Sequence, residues 1–232
     1  MSFQVIKQRT IWWPTFTGWA VIVTILTGLG LTWCWRAESF FSLTERQPAD
    51  ILVVEGWTNA DALAEVKNEF VRGGYRFVVA TGGMTSERWS GQRWSLAEES
   101  ARVLLQSGLP KEQVILAKPA DVERHRTFAS AVAVWRTLRE RGIQPKSINV
   151  FSLGVHGRRS RLVYAKVEGS TVPVGVISWS PGDQRAASWW NSSSRTLELL
   201  KETVGYPYEL LLNSGRWSND PDGKNAVADG AH

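Results

Sequence analysis

The 232-residue chain has one cysteine, Cys34, and three histidines, the last of them the terminal His232. A single cysteine permits no intramolecular disulfide. So few soft ligands supply no transition-metal centre and none is expected, although carboxylates and a substrate phosphate could still share a divalent ion. The chain also lacks a complete G-x-G-x-x-G, a Walker lysine, internal repeats and heptads. No cofactor follows from any such motif. It has no Lys/Arg block and no nucleic-acid-binding signature, so the formal net charge of +5 and sequence pI near 9.6 do not imply a nucleic-acid partner. Attraction to anionic membrane lipids accounts for the basic balance more simply.

Charge itself is missing from Thr10 to Trp35. Residues 11–35 are long enough to cross a hydrocarbon core of about 30 Å, with Trp12, Trp13 and Trp19 toward one end and Trp33 and Trp35 toward the other. Pro14 is tolerable near a helix start. The run ends in the bulky Trp33-Cys34-Trp35-Arg36, which offers neither a small-residue cleavage site nor the small residue that precedes a lipoprotein cysteine. An uncleaved anchor is expected. Lys7 and Arg9 precede the span without an acid, whereas Arg36 and Arg46 are interleaved with Glu38 and Glu45. That bias places residues 1–10 in the cytoplasm and the globular part outside the inner (plasma) membrane, periplasmic in a two-membrane bacterium. Residues 36–48 read as a polar stalk, and 213–232, Gly/Asn/Asp-rich with little to bury, as a disordered tail.

Residues 49–212 alternate apolar runs with helix-period segments. Strands are expected at 50–54, 76–80, 113–117, 147–153 and 170–178, the last at a sheet edge because of Pro173. Helices are expected at 59–72, 96–106, 127–141, 157–168 and 188–212, the last interrupted near Gly205 and Pro207, with Trp135 in the core. Met84–Ser95 reads as a polar loop. This alternation defines an α/β fold, a Rossmann-like doubly wound parallel sheet of about five strands behind one transmembrane helix.

Such a sheet gathers its site at the strand C-termini. The segment Asn149–Arg161, NVFSLGVHGRRSR, ends a strand at a glycine and delivers His156, Arg158, Arg159 and Arg161 where a helix begins. Helix N-termini and guanidinium groups both suit an anion. Other strand ends carry Glu55-Gly56-Trp57, Thr81-Gly82-Gly83, Lys118 with Asp121 and Glu123, and Trp179 with Asp183. His156 is the candidate acid/base, with Glu55 and Glu98 as candidate partners, and Arg158 and Arg159 are candidate anion clamps. Gly82 and Gly83 could bring backbone amides to a phosphate or simply form a turn, and Thr127 could bind a ligand oxygen or cap a helix. Trp57, Trp89 and Trp94 could stack on a sugar, line a lipid groove or pack the loops. His125, between Arg124 and Arg126, reads as solvated charge.

The order of Thr81-Gly82-Gly83, a helix carboxylate at Glu98 or Glu99, Thr127-x-x-Ser130-Ala131 and Ser152-x-x-x-His156-x-Arg158-Arg159-Ser160 resembles the SanA/ElyC/YdcF family of bacterial envelope proteins, over roughly residues 49–212. The resemblance implies a Rossmann-like fold, frequently behind a membrane anchor, and a place in envelope integrity and glycan or lipid-carrier metabolism. It implies no single reaction, although S-adenosylmethionine has been linked to one cytosolic-type branch. Three positions depart from the family pattern: Glu55-Gly56-Trp57 replaces a small Gly-rich turn, Ser130 replaces Asn, and Lys118 replaces an acid. They bear on ligand identity.

Two functions follow as expectations. One is an enzyme, a hydrolase or transferase acting on a phosphate-bearing glycan or lipid-carrier intermediate of cell-wall or surface-polysaccharide metabolism. The other is a non-catalytic binding or scaffolding protein that uses the same crevice for an anionic small molecule or lipid-linked glycan. His156 hydrogen-bonded to Glu55 or Glu98 inside an Arg-lined cleft would favour the first, and an unpaired His156 without a carboxylate nearby the second.

Overall fold

A computed structural model describes residues 13–86, 91–122, 124–169, 171–182 and 188–212. Lys7, Arg9, Trp12, Trp89, Glu123, Asp183 and the tail at 213–232 lie outside the described residues. The chain divides into two compact units, Met1–Ala37 and Glu38–His232.

The first unit holds most of helix α1 (Phe16–Phe41), whose mean hydropathy reaches 1.5 with none of its apolar window buried. At 1.5 Å per residue the helix spans about 39 Å, enough to cross a membrane. Thr15 Oγ1 accepts from the Gly18 N–H at 3.2 Å. Thr24 and Thr32 donate their hydroxyls at 2.8 Å to the carbonyls of Ala20 and Gly28, so their polar atoms are satisfied within the helix itself.

In the second unit, β1 (Ile51–Glu55), β2 (Phe77–Thr81), β5 (Val114–Ala117), β6 (Ile148–Leu153) and β7 (Val174–Trp179) form one parallel sheet in the order β5-β2-β1-β6-β7. Their continuous apolar runs are buried on both faces, as parallel strands require. Helices α2 (Ala60–Gly73) and α3 (Leu96–Gln106) cover Leu52, Val54 and Val78 with Val66, Phe70 and Leu104. On the other face α4 (Arg126–Glu140) and α5 (Gly157–Val167) cover Ile51, Val53 and Val150 with Val134, Trp135 and Tyr164. Helix α6 (Ser193–Leu211) packs along α5. The strand order reverses between β1 and β6, which opens a crevice at their C-terminal ends.

Three local expectations are corrected. The loop expected at Met84–Ser95 contains β3 (Met84–Ser86) and β4 (Arg93–Ser95), an antiparallel pair whose short runs carry little apolar alternation to betray them. Helix α6 runs unbroken through Gly205 and Pro207; an exposed Pro207 costs it a backbone hydrogen bond but meets no core. Most of the expected stalk belongs to the domain. Glu45 pairs with Val176 on the outer edge of β7, and Arg46 is bonded at 2.8 and 3.0 Å to the buried Glu69 carboxylate. The Asn149 side chain meets both the N–H and the carbonyl of Gln47 at 2.9 Å.

Gly175 makes this strap possible. A Cβ there would lie 1.9 Å from Asn149 Oδ1 and 2.7 Å from the Glu45 carbonyl, so both neighbours would have to move. Gly175→Ala is expected to cost about 1–3 kcal/mol, read as a lower midpoint in denaturant unfolding of the detergent-solubilised chain. An unchanged midpoint would mean that the strap contributes nothing.

Candidate functional site

The site is built where β1, β6 and β7 end. Beyond β6 a single turn of 3-10 helix, Gly154–His156, turns the chain into α5 and presents His156 half-buried. Its Nδ1 lies 2.6 Å from Glu202 Oε1, a carboxylate on α6 that is 1% exposed. Arg159, one turn further along α5, grips the same carboxylate with Nε at 2.7 Å and Nη2 at 2.8 Å. Burial pushes the Glu202 carboxyl upward, but the hydrogen bonds from His156 and Arg159 outweigh it and hold the group below its ordinary range. In the neutral imidazole an ionised Glu202 holds the proton on Nδ1 and leaves the lone pair on Nε2, which has no partner among the described residues.

His156 opens onto a cleft of about 400 Å³. Its walls include Trp57 and Asn59 just before α2, Leu153 and Gly154 at the end of β6, Trp179 to Pro181 at the end of β7, and Ser192 and Ser194 at the start of α6. The Trp57 ring meets the His156 ring edge-on at 6.3 Å. Asn59 caps α2 by accepting from the Ala62 N–H at 2.9 Å, and Ser192 caps α6 in the same way at 3.4 Å. Two helix N-termini therefore end at one cleft beside a histidine, and Arg195 and Glu198 also line it, so the helix ends and one guanidinium face the cleft together with one carboxylate.

Glu55 does not reach His156. Strand alternation turns its side chain with Ile51 and Val53 toward α5, where Ser160 Oγ donates to it, lying 2.9 and 3.0 Å from its two oxygens. Burial there raises its pKa from 4.5 to about 7, against the opposing pull of the Ser152 and Ser160 hydroxyls and of the His156 and Arg159 charges. Glu98 lies on α3 at the other side of the sheet, half-exposed and ion-paired with Lys118, because α3 packs on β2 and β5. It is no partner for His156.

The two expected clamps are already engaged. Arg159 is committed to Glu202, while Arg158 donates Nε to the Phe40 carbonyl at 2.5 Å and stacks 3.9 Å over the Phe40 ring. Gly82 serves close packing: a Cβ would lie 2.9 Å from Gly56 Cα and 3.0 Å from Leu96 Cβ. The carbonyls of Gly82 and Gly83 accept from the Ala97 and Leu96 N–H groups, so these glycines tie β2 to α3. Thr127 is not the cap of α4, a place taken by His125 at φ 53°, and is buried in the first turn. Gly82, Gly83 and Thr127 thus share the C-terminal edge of the sheet with His156, yet none of them lines its cleft.

No protein-family model, curated protein or solved structure matches the chain. Fold and site together define a Rossmann-like α/β protein with a carboxylate-held histidine at its topological switch point. An apolar N-terminal helix accompanies it.

Proposed function

We propose that this is a single-pass inner-membrane protein of the SanA/ElyC/YdcF family, its N-terminus cytoplasmic and its α/β domain outside the membrane. In this reading it acts on a phosphate-bearing glycan or lipid-carrier intermediate of the cell envelope. The observation that carries the reading is the 2.6 Å contact of His156 with buried Glu202 at the mouth of a tryptophan-walled cleft. A histidine so held is a general base through Nε2: it takes a proton from water or an acceptor hydroxyl as that oxygen attacks, and returns it to the leaving oxygen. The N-termini of α2 and α6 would take the phosphate in place of the arginines. Trp57 and Trp179 offer faces to a sugar ring.

The engagement of Arg158 and Arg159 favours the second reading, a protein that holds such a ligand without turning it over. One experiment separates the two: the envelope lipids and glycans of cells with the intact gene are compared with those of cells carrying His156→Gln. Accumulation of one phosphorylated carrier or glycan species in the variant alone is the expected result. Identical pools, with the ligand still retained by both proteins, would leave only the binding function.

A further inference from the structure

Helix α6 is amphipathic in the reverse sense. Its inward face carries Glu202 and Glu209, 1% and 4% exposed, beside Leu199, whereas Leu197, Leu200, Val204, Tyr208 and Leu211 face outward and are 46–78% exposed. At 100° per residue these five positions fall within about 80° of arc, a continuous apolar stripe rather than scattered surface leucines. A patch of this kind marks a docking surface.

The occupant is indicated by what adjoins the helix. Residues Phe40 and Phe41, which follow directly on the apolar segment, pack on Tyr206 of α6 with ring centroids 5.8 and 6.1 Å apart. Within the second unit, its first residues thus pack on α6. On α6 itself the exposed charge beside the stripe is a cation, Lys201, since Glu202 and Glu209 turn inward and the half-buried Glu198 lines the cleft. An apolar stripe flanked by a cation suits anionic headgroups over an apolar boundary.

We propose that α6 is an interfacial helix, its outward stripe lying in the bilayer surface to which the chain is anchored. This rests on the membrane-anchor reading. It adds a consequence for the site: the helix that touches lipid is the helix that supplies Glu202 to His156 and Ser192 and Ser194 to the cleft, so the crevice opens beside the bilayer. Its substrate class is then a phosphorylated glycan still attached to its lipid, presented from the membrane.

The test uses the full chain with Cys34→Ser, labelled with a bimane fluorophore at Val204→Cys and reconstituted into phosphatidylcholine–phosphatidylglycerol vesicles that contain spin-labelled lipids. A label at Lys111→Cys, before β5 at the far edge of the sheet, is the control. The expected result is quenching at position 204, stronger with shallow than with deep spin labels because such helices sink only about 5–10 Å. None is expected at 111. Val204→Glu, read through a label at Leu211→Cys, should reduce the quenching, and an exposed position tolerates this change without unfolding. A protein that survives alkaline washing of the vesicles but gives equal signals at 204 and 111 overturns the interfacial helix while leaving the anchor intact. Release by alkali overturns the anchor and the proposal together. Concentration-dependent crosslinking through 204, without lipid quenching, identifies a second copy of the chain as the occupant and overturns it as well.

Discussion

Replacing Glu202 with glutamine is expected to cost about 3 kcal/mol of stability near neutral pH and, in the catalytic reading proposed above, to remove turnover almost entirely. The stability loss arises because Arg159, whose side chain is only 26% exposed, keeps its charge and loses its counter-charge. Glu202 is held below its ordinary carboxyl range, so its contribution is present above that range and lost as pH falls through the depressed value. The gap between parent and variant should therefore begin to narrow only as pH falls below the ordinary carboxyl value of about 4.3, and should close below the depressed one. Unfolding curves across pH would read this. The catalytic loss has a separate cause: an amide can present N–H to Nδ1, which drives the imidazole proton to Nε2 where the base needs a lone pair. A carboxylate-to-amide change of this kind costs about 10⁴-fold in rate. Should Glu202→Gln retain the stability and the pH profile of the parent, the buried cluster would not be organised by charge.

The opposite sign is expected for Glu55→Gln. Its carboxyl is lifted from 4.5 to about 7 by burial, so below about pH 4.5 folded and unfolded chains both hold the proton and the side chain contributes no pH dependence. Between 4.5 and 7 the unfolded chain gives up a proton that the folded chain retains, and stability falls as pH rises. Above 7 the full deficit is present, about 3 kcal/mol for a displacement of this size. Glutamine keeps the shape and the Ser160 hydrogen bond without the charge. Its amide also gains a candidate acceptor in Thr81 Oγ1, which neighbours Glu55 across β1 and β2 and has no partner among the described residues. The variant should match the parent in acid and exceed its stability at pH 8 by up to that amount. Melting curves at both pH values check it, and equal stability at pH 8 would mean that the parent carboxyl ionises there without penalty.

The architecture was readable because each sheet strand is a short apolar run between turn residues and each covering helix repeats its apolar positions at helical spacing. His156 was readable for a related reason: a strand, a glycine and a helix start fix where a side chain emerges. Its partner was not. Glu202 lies 46 residues further on, and only the packing of α6 on α5 brings it within 2.6 Å. A signal did exist, since helical spacing puts Arg195, Leu199, Glu202 and Glu209 on one face and Leu197, Leu200, Val204, Tyr208 and Leu211 on the other, the reverse of an ordinary covering helix. The arginines misled for a simple reason. A guanidinium beside a predicted anion site is as readily satisfied by the protein's own carboxylate or carbonyl as by a ligand, and nothing in local sequence tells which.

The strap at Glu45–Gln47 bears on how the domain could ever be separated from its anchor. β7 is an edge strand, and the pairing of Glu45 with Val176 covers part of the side that its neighbour β6 leaves open. A cut after Gln47 would leave Arg46 and Glu45 with the anchor, strip the Glu69 carboxylate of one of its cations and bare that edge to strand pairing with another chain. Shedding and misassembly would then begin with the same broken bond.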